Sequence, residues 1–287
     1  MNANTTITLN NEKQMPVFGY GVWMIEDPAV CEAGVLAAIE AGYKLIDTAA
    51  VYLNEKAVGA ALKKSPTPRE ELFITTKLWV QDMGYEQTKA AFEKSMHRLQ
   101  LDYFDMYMIH WPFGDYMGSW KAMEEFYKAG RVKTIGVCNF PEYQTRNLMA
   151  NAEIKPAVNQ VECHPWFQQK ELANYLKKAG IAMQSYSPLG HGKSELLNDA
   201  LLAGLAKKYN QSVAQVILRW QVQEGFCPIP KSANQDRIKE NISIFDFQLT
   251  EDDMEAIRKM DKFMKLGSGN PNDPVWEKKL SKFKVDI

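Results

Sequence analysis

Short apolar runs rich in β-branched and aromatic residues recur eight times along the chain, and most are followed by a stretch with helical periodicity. The runs are Val17–Gly21, Lys44–Thr48, Leu72–Lys77, Asp105–His110, Thr134–Cys138, Ala157–Val161, Ala182–Tyr186 and Phe226–Pro230. Between them, Cys31–Ala41, Gln87–Leu99, Ser119–Ala129 and Gln169–Lys178 carry apolar residues three and four apart. Strands that alternate with helices must run parallel, because each helix carries the chain back to the starting edge. Eight such units are the number that closes a (β/α)8 TIM barrel, a fold that routinely needs about 250 residues. The 287 residues therefore predict a single barrel domain spanning 1–287.

Departures from strict alternation mark elaborations. Asp199–Tyr209 and Val213–Glu224 both read as helices before the eighth run, which predicts an enlarged loop after the seventh. Thr6–Leu9 and Gln14–Val17 flank the turn Asn10-Asn11-Glu12-Lys13, predicting an N-terminal β-hairpin that plugs one end. After a helix over Asp252–Met260, Gly267, Gly269, Pro271 and Pro274 predict an irregular C-terminal tail.

Composition narrows the partners. Lys and Arg total 34 against 35 for Asp and Glu, so no overall charge favours nucleic acid or a membrane surface. The four cysteines are widely spaced and include no C-x-x-C pair, which speaks for free thiols in a reducing compartment. With neither a signal-like start nor an apolar span, the expectation is a cytoplasmic, soluble protein that acts as a monomer on a small molecule.

In a barrel of this kind the active site forms at the C-terminal ends of the strands. The second run, KLIDTA, ends in Asp47 and leads to Tyr52; the third, LFITTK, ends in Lys77; the fourth, DMYMIH, ends in His110. Each residue has an ordinary structural explanation, as a cap, a packed ring or a rim charge. Their joint arrival at one rim favours chemistry. A phenol, with an unperturbed pKa of about 10, becomes a usable proton donor if an ammonium lowers it, and a carboxylate keeps that ammonium charged. Lys77 and Asp47 suit these parts, while a neutral His110 can donate a hydrogen bond to a carbonyl oxygen as it gains charge.

Such a set polarises a carbonyl but supplies no electrons, so a hydride carrier must bind beside it. After the eighth run, PKSANQDRIKEN places Lys231, Ser232 and Arg237 at a helix start that Ser232 or Asn234 caps, an anion site. No G-x-G-x-x-G fingerprint occurs, which argues against a Rossmann-type dinucleotide domain. Asn139, Asn159, Gln160 and Tyr186 fall on the later runs and suit a carboxamide and a flat ring. Glu162-Cys163-His164 lacks a second ligand pair at matching spacing, so no metal is expected.

These motifs together resemble the aldo-keto reductase family, over Met15 to about Asp261. DTAAVYLNE (Asp47–Glu55), ITTKLW (Ile74–Trp79), MIHWP (Met108–Pro112), NQVECHP (Asn159–Pro165), SYSPLG (Ser185–Gly190) and IPKSANQDRIKEN (Ile229–Asn241) look like family signatures in the right order. The short segment after Pro112 and the short tail resemble diketogluconate reductase and prostaglandin F synthase-like members. The resemblance implies Tyr52 as proton donor, Lys77 and Asp47 as its tuning pair, and His110 as the residue orienting the carbonyl. It also implies that Asn139 and Gln160 hold the nicotinamide carboxamide, that Tyr186 stacks on the ring, and that Ser187 and Leu189 cover the pyrophosphate. Lys231, Ser232 and Arg237 would then bind the 2′-phosphate of NADPH, with Glu240 and Asn241 near the adenine. One departure is Cys138, where the family usually has a serine beside the carboxamide. A thiol is a weak donor, so a looser grip on the cofactor is expected, together with some sensitivity to oxidants.

The activity implied is NADPH-dependent reduction of an aldehyde, ketone or keto-sugar. Two other readings stay open: a Schiff-base aldolase using Lys77, and a member that keeps the cofactor site for a regulatory or structural task. Trp23, Trp79 and Trp111, with Phe113 and Tyr116, are expected to line an aromatic substrate pocket.

Overall fold

The computed structural model describes residues 2–267 and 269–285. A two-stranded antiparallel hairpin, β1 (Thr6–Thr8) and β2 (Gln14–Pro16), precedes eight parallel strands. These are β3 (Gly19–Gly21), β4 (Leu45–Asp47), β5 (Phe73–Leu78), β6 (Met106–Ile109), β7 (Ile135–Cys138), β8 (Val158–Glu162), β9 (Ala182–Tyr186) and β10 (Cys227–Pro228). Each pairs with the next in sequence. Gly21 then bridges to Lys231 and donates to Pro230 O at 3.1 Å, which joins the last strand to the first and closes the barrel. Its bore is narrow. A Cβ on Gly19 would lie 2.4 Å from Leu45 Cδ2 and 2.9 Å from Ile229 Cγ2, closer than real Cβ contacts come.

Side chains on a strand alternate between the bore and the helical layer. Leu45, Phe73, Met106, Met108, Val158 and Cys227 fill the bore. Ile46, Ile74, Tyr107, Ile109, Ile135 and Val137 face outward onto Val35, Ala38, Phe92, Leu99, Trp120 and Met123 of the helices. Burying each of these large apolar side chains contributes about 1.5–3 kcal/mol, so two concentric layers hold the barrel.

The hairpin floors the bore with Leu9 and Met15. Its turn is fixed by Asn10 donating to Pro156 O at 2.9 Å and Asn11 to Lys133 O at 3.0 Å, carbonyls that precede β8 and β7. The hairpin thus plugs the N-terminal end and leaves the opposite mouth for a site. Between β9 and β10 the expected long helices occur at Ala200–Tyr209 and Val213–Gln223, preceded by a short one at Ser194–Leu197.

The tail differs from expectation in one respect. Pro274–Leu280 is a helix, because Asp273 caps it by accepting from Val275 N at 2.9 Å and Pro274 occupies a first-turn position that needs no N–H. A proline that reads as a breaker is here a helix start. Leu280, Val285 and Trp276 of the tail pack against Ala50, Trp79, Trp111 and Phe113 at the barrel mouth. No described helix is long and apolar enough to cross a membrane.

Candidate active site

The two-residue period of the bore delivers the polar groups. From Leu45 it steps to Asp47, from Phe73 through Thr75 to Lys77, from Met106 and Met108 to His110, from Val158 to Gln160, and from Ala182 through Gln184 to Tyr186. Apolar residues occupy the lower steps of most strands, and titratable or amide groups occupy the last.

Lys77 is wholly buried, and its ammonium donates to Asp47 Oδ1 at 2.5 Å and to Thr48 O at 2.9 Å. The second Asp47 oxygen accepts from Gln160 Nε2 at 2.8 Å. Burial pushes the Asp47 carboxyl up, and the Lys77 ammonium with these two donors pulls against that rise. An amine so engaged is no free nucleophile, which removes support from a Schiff-base role.

Tyr52 ends a single 3₁₀ turn after β4, stopped by Leu53 in the left-handed region at φ 57°. A leucine is strained there, and its neighbour Asn54 over-determines the bend. Asn54 accepts from Thr48 Oγ1 at 2.9 Å and donates to Val22 O at 2.9 Å and Ile25 O at 3.3 Å. It ties the segment bearing Tyr52 to the one bearing Trp23. Glu55 beside it is buried against Thr76 and Arg98, each 2.6 Å away. Sequence reasoning missed both residues, although NE directly follows the tyrosine turn and an acidic residue at a helix start is a legible signal.

The ammonium of Lys77 lies 5.1 Å from the Tyr52 ring centroid, and the Tyr52 and His110 rings meet edge to face at 5.7 Å. Trp79 flanks His110 at 5.2 Å. Burial, and then the Lys77 charge, hold His110 well below the usual histidine range, so its imidazole is neutral. The expected lowering of the Tyr52 phenol is not found. Burial, and then the negative charge of Asp47, push it well above its ordinary value.

Beyond His110, Asn139 adopts φ 63°, a conformation asparagine tolerates. It donates to His110 O at 3.1 Å and accepts from Tyr186 OH at 2.8 Å. Gln160 is committed through its amide N–H groups to Asp47 and, at 2.7 Å, to Gln184 Oε1. Asn159, expected on the rim, turns the other way and donates to Phe140 O at 2.8 Å, as strand alternation requires of a neighbour of Gln160. Cys138 is buried, and burial pushes its thiol up to about 12, which argues against a reactive, oxidant-sensitive thiol. All four cysteines are free and buried.

At the eighth strand, Asn234 rather than Ser232 caps the helix Gln235–Ile242, accepting from Arg237 N at 2.9 Å. Ser232 Oγ accepts from Asn234 N at 3.1 Å. Lys231 and Arg237 are exposed and meet no acidic side chain within ion-pair distance among the described residues, whereas Asn241 is buried and Glu240 half-buried. Ser187, at φ 47°, joins His191 Nε2 at 3.0 Å, and Leu189 is half-buried. Trp111 stacks on Phe113 at 5.8 Å, and Tyr116 packs against Phe140 instead of the other pocket rings. Among the described residues no group of three or more His, Cys, Asp or Glu side chains could hold a metal ion.

The sequence model described as the aldo/keto reductase family matches residues 17–262. The chain belongs to that family. Like other aldo/keto reductases it is an NADP(H)-dependent oxidoreductase. This aldo/keto reductase is 50% identical to the glyoxal reductase of Bacillus subtilis over 93% of its own length and 96% of that protein's. It is 41% identical to the methylglyoxal reductase DkgA of Escherichia coli, over 92% and 96% of the two chains. The solved aldo-keto reductase of Bombyx mori in complex with NADP superposes with a TM-score of 0.89 at 36% identity, over 93% and 96% of the two chains.

Proposed function

We propose that this chain, working as one domain, reduces the carbonyl of a small aldehyde, ketone or keto-sugar to an alcohol, with Tyr52 as the proton donor. The observation that carries the proposal is the convergence of the Tyr52, His110 and Trp79 rings above the buried Lys77–Asp47 pair. The groove beside them suits a dinucleotide by its own chemistry. Asn139 and Tyr186 line one end, while the other ends at two exposed cations and a capped helix N-terminus, a setting that favours a phosphate dianion. Lys231, Ser232 and Arg237 would hold the 2′-phosphate, Ser187 and Leu189 the pyrophosphate, and Cys138, Asn139, Gln160 and Tyr186 the nicotinamide. When bound, NADPH supplies the hydride.

The chain's own residues then act on the substrate oxygen. His110 Nδ1 is buried without a partner among the described residues, which favours the tautomer with its proton on Nε2, the nitrogen left to donate to that oxygen. Tyr52 delivers the proton as negative charge develops there. Lys77, held by Asp47, offsets the phenolate that remains, and this matters because burial and Asp47 otherwise oppose that charge. Trp23, Trp79 and Trp111 exclude water from the reacting carbonyl. The relatives named for glyoxal and methylglyoxal support small dicarbonyls as the first substrates to try. NADPH consumption measured over dicarbonyls, simple aldehydes, ketones and keto-sugars tests the proposal, and no turnover on any class would overturn it.

A further inference from the structure

Glu162 ends β8, one strand from Tyr186, with which it is in register. It is 1% exposed, yet no strand or helix supplies its partners. Its Oε1 accepts from Leu266 N at 2.7 Å and Gly267 N at 2.8 Å, two amides of the C-terminal tail, and lies 3.2 Å from His164 Nε2. Its Oε2 lacks a hydrogen-bond partner among the described residues and lies 3.7 Å from the ammonium of Lys265. Burial would raise this carboxyl, but His164, the Gly267 amide, Lys265 and the Leu266 amide together hold it at about 2. A buried carboxylate kept charged by an otherwise irregular segment is an anchor, since that segment's backbone finds few other partners there.

The anchored segment, Lys265–Gly267, forms a strap across the mouth. On one side Lys262 N and Met264 N donate to Trp166 O at 3.0 and 3.1 Å. Leu266 lies against Gly190, and Gly267 is threaded between Glu162 and His191: a Cβ there would come 2.6 Å from Glu162 Oε2 and 2.8 Å from His191 Nε2. On the other side a Cβ on Gly269 would meet Trp111 Cη2 at 2.2 Å, so the tail runs directly over that ring. Lys265, half-buried, also donates to Gly269 O. Gly267 thus meets Glu162, the strand partner of Tyr186, and the loop after β9, while Gly269 meets the indole after β6. His191 extends the bridge to Trp23, 5.5 Å away.

We propose that Glu162 is a positioning residue that pins this strap over the cofactor groove, so that the strap must leave Glu162 before the dinucleotide can enter or leave. The inference rests on the functional reading above, which puts the cofactor in that groove. It assigns Glu162 no contact with substrate. Loss of a carboxylate accepting two backbone N–H groups typically weakens such an anchor on the order of tenfold or more.

The test is a stopped-flow chase of bound NADPH with excess NADP+, followed by NADPH fluorescence, in the wild type, Glu162→Gln, Glu162→Asp and Gly267→Ala. Amide hydrogen exchange at 266 and 267 is read in parallel without cofactor. Expected are faster exchange at both amides and NADPH release about tenfold faster in Glu162→Gln and Gly267→Ala, with Glu162→Asp between them and the wild type. If Glu162→Gln fails to fold, Gly267→Ala, which disturbs the same anchor from the tail, decides. Freed strap amides with unchanged NADPH release would overturn the inference. So would unchanged exchange at both amides. Failure of the wild-type protein to bind NADPH at all would overturn the functional reading, and this inference with it.

Discussion

Asp47→Asn probes the buried pair beneath the phenol. The substitution keeps the shape but removes the charge from a site where Lys77 is fully buried and Asp47 is 2% exposed. One Asp47 oxygen accepts from Lys77 and the other from Gln160, so the new NH₂ must face a donor whichever way the amide is turned. One buried donor is left unmet, which alone costs about 1–3 kcal/mol. The ammonium is left without its counter-charge, and breaking a buried pair in this way typically costs about 3–5 kcal/mol. These are overlapping descriptions of one loss, so the total is about 3–5 kcal/mol. For a chain of this length each kcal/mol moves Tm by roughly 2–4 °C, giving a fall on the order of 10 °C by calorimetry. Asp47→Asn with Lys77→Met removes both charges and should recover most of that stability, though not activity. A single variant melting within about 2 °C of wild type, or a double variant no more stable than the single, would refute the reasoning.

Further outcomes follow from three other parts of the molecule. Arg237→Ala should weaken NADPH far more than NADH in fluorescence titrations, because an exposed guanidinium at a capped helix start matters chiefly to the extra phosphate; equal losses would remove Arg237 from that role. Cys138→Ser should strengthen NADPH binding by a few-fold to about tenfold, as a neutral hydrogen bond contributes about 0.5–1.5 kcal/mol. With its thiol pushed up to about 12, native Cys138 should resist iodoacetamide at pH 8, and mass spectrometry finding rapid labelling that NADPH slows would contradict this. Glu162, lowered from 4.5 to about 2, binds fewer protons when folded, so its stabilising effect is complete above its unfolded value and fades as pH falls from 4.5 to 2. The stability gap between wild type and Glu162→Gln in urea should shrink across that window, and a gap independent of pH would count against it.

Much of this site could be read from the chain because the bore imposes a period of two. KLID, FITTK and MYMIH each place a polar residue an even number of steps from an apolar one, at the end where barrels keep their chemistry. The same period, applied strictly, would have turned Asn159 away from Gln160. What could not be read depends on contacts distant in sequence. Whether Lys77 tunes Tyr52 or neutralises Asp47 is decided by distances among β4, β5 and the turn bearing Tyr52, and the thiol of Cys138 by its depth. Glu162 drew notice only as part of a metal-like triplet, because its partners, Leu266 and Gly267, offer backbone amides that no residue pattern announces. The tail looked irregular from its glycines and prolines. Its helix depends on Asp273 standing before Pro274.

The proton-donor role of Tyr52 is tested most directly by Tyr52→Phe under single-turnover conditions, with saturating NADPH and a carbonyl substrate whose chemical step is shown to be slow by deuterated cofactor. General acid catalysis contributes about 10²–10⁴-fold, so the hydride-transfer rate should fall by that factor while NADPH affinity, measured by fluorescence, stays near the wild-type value. Near-wild-type transfer by the phenylalanine variant would contradict the assignment.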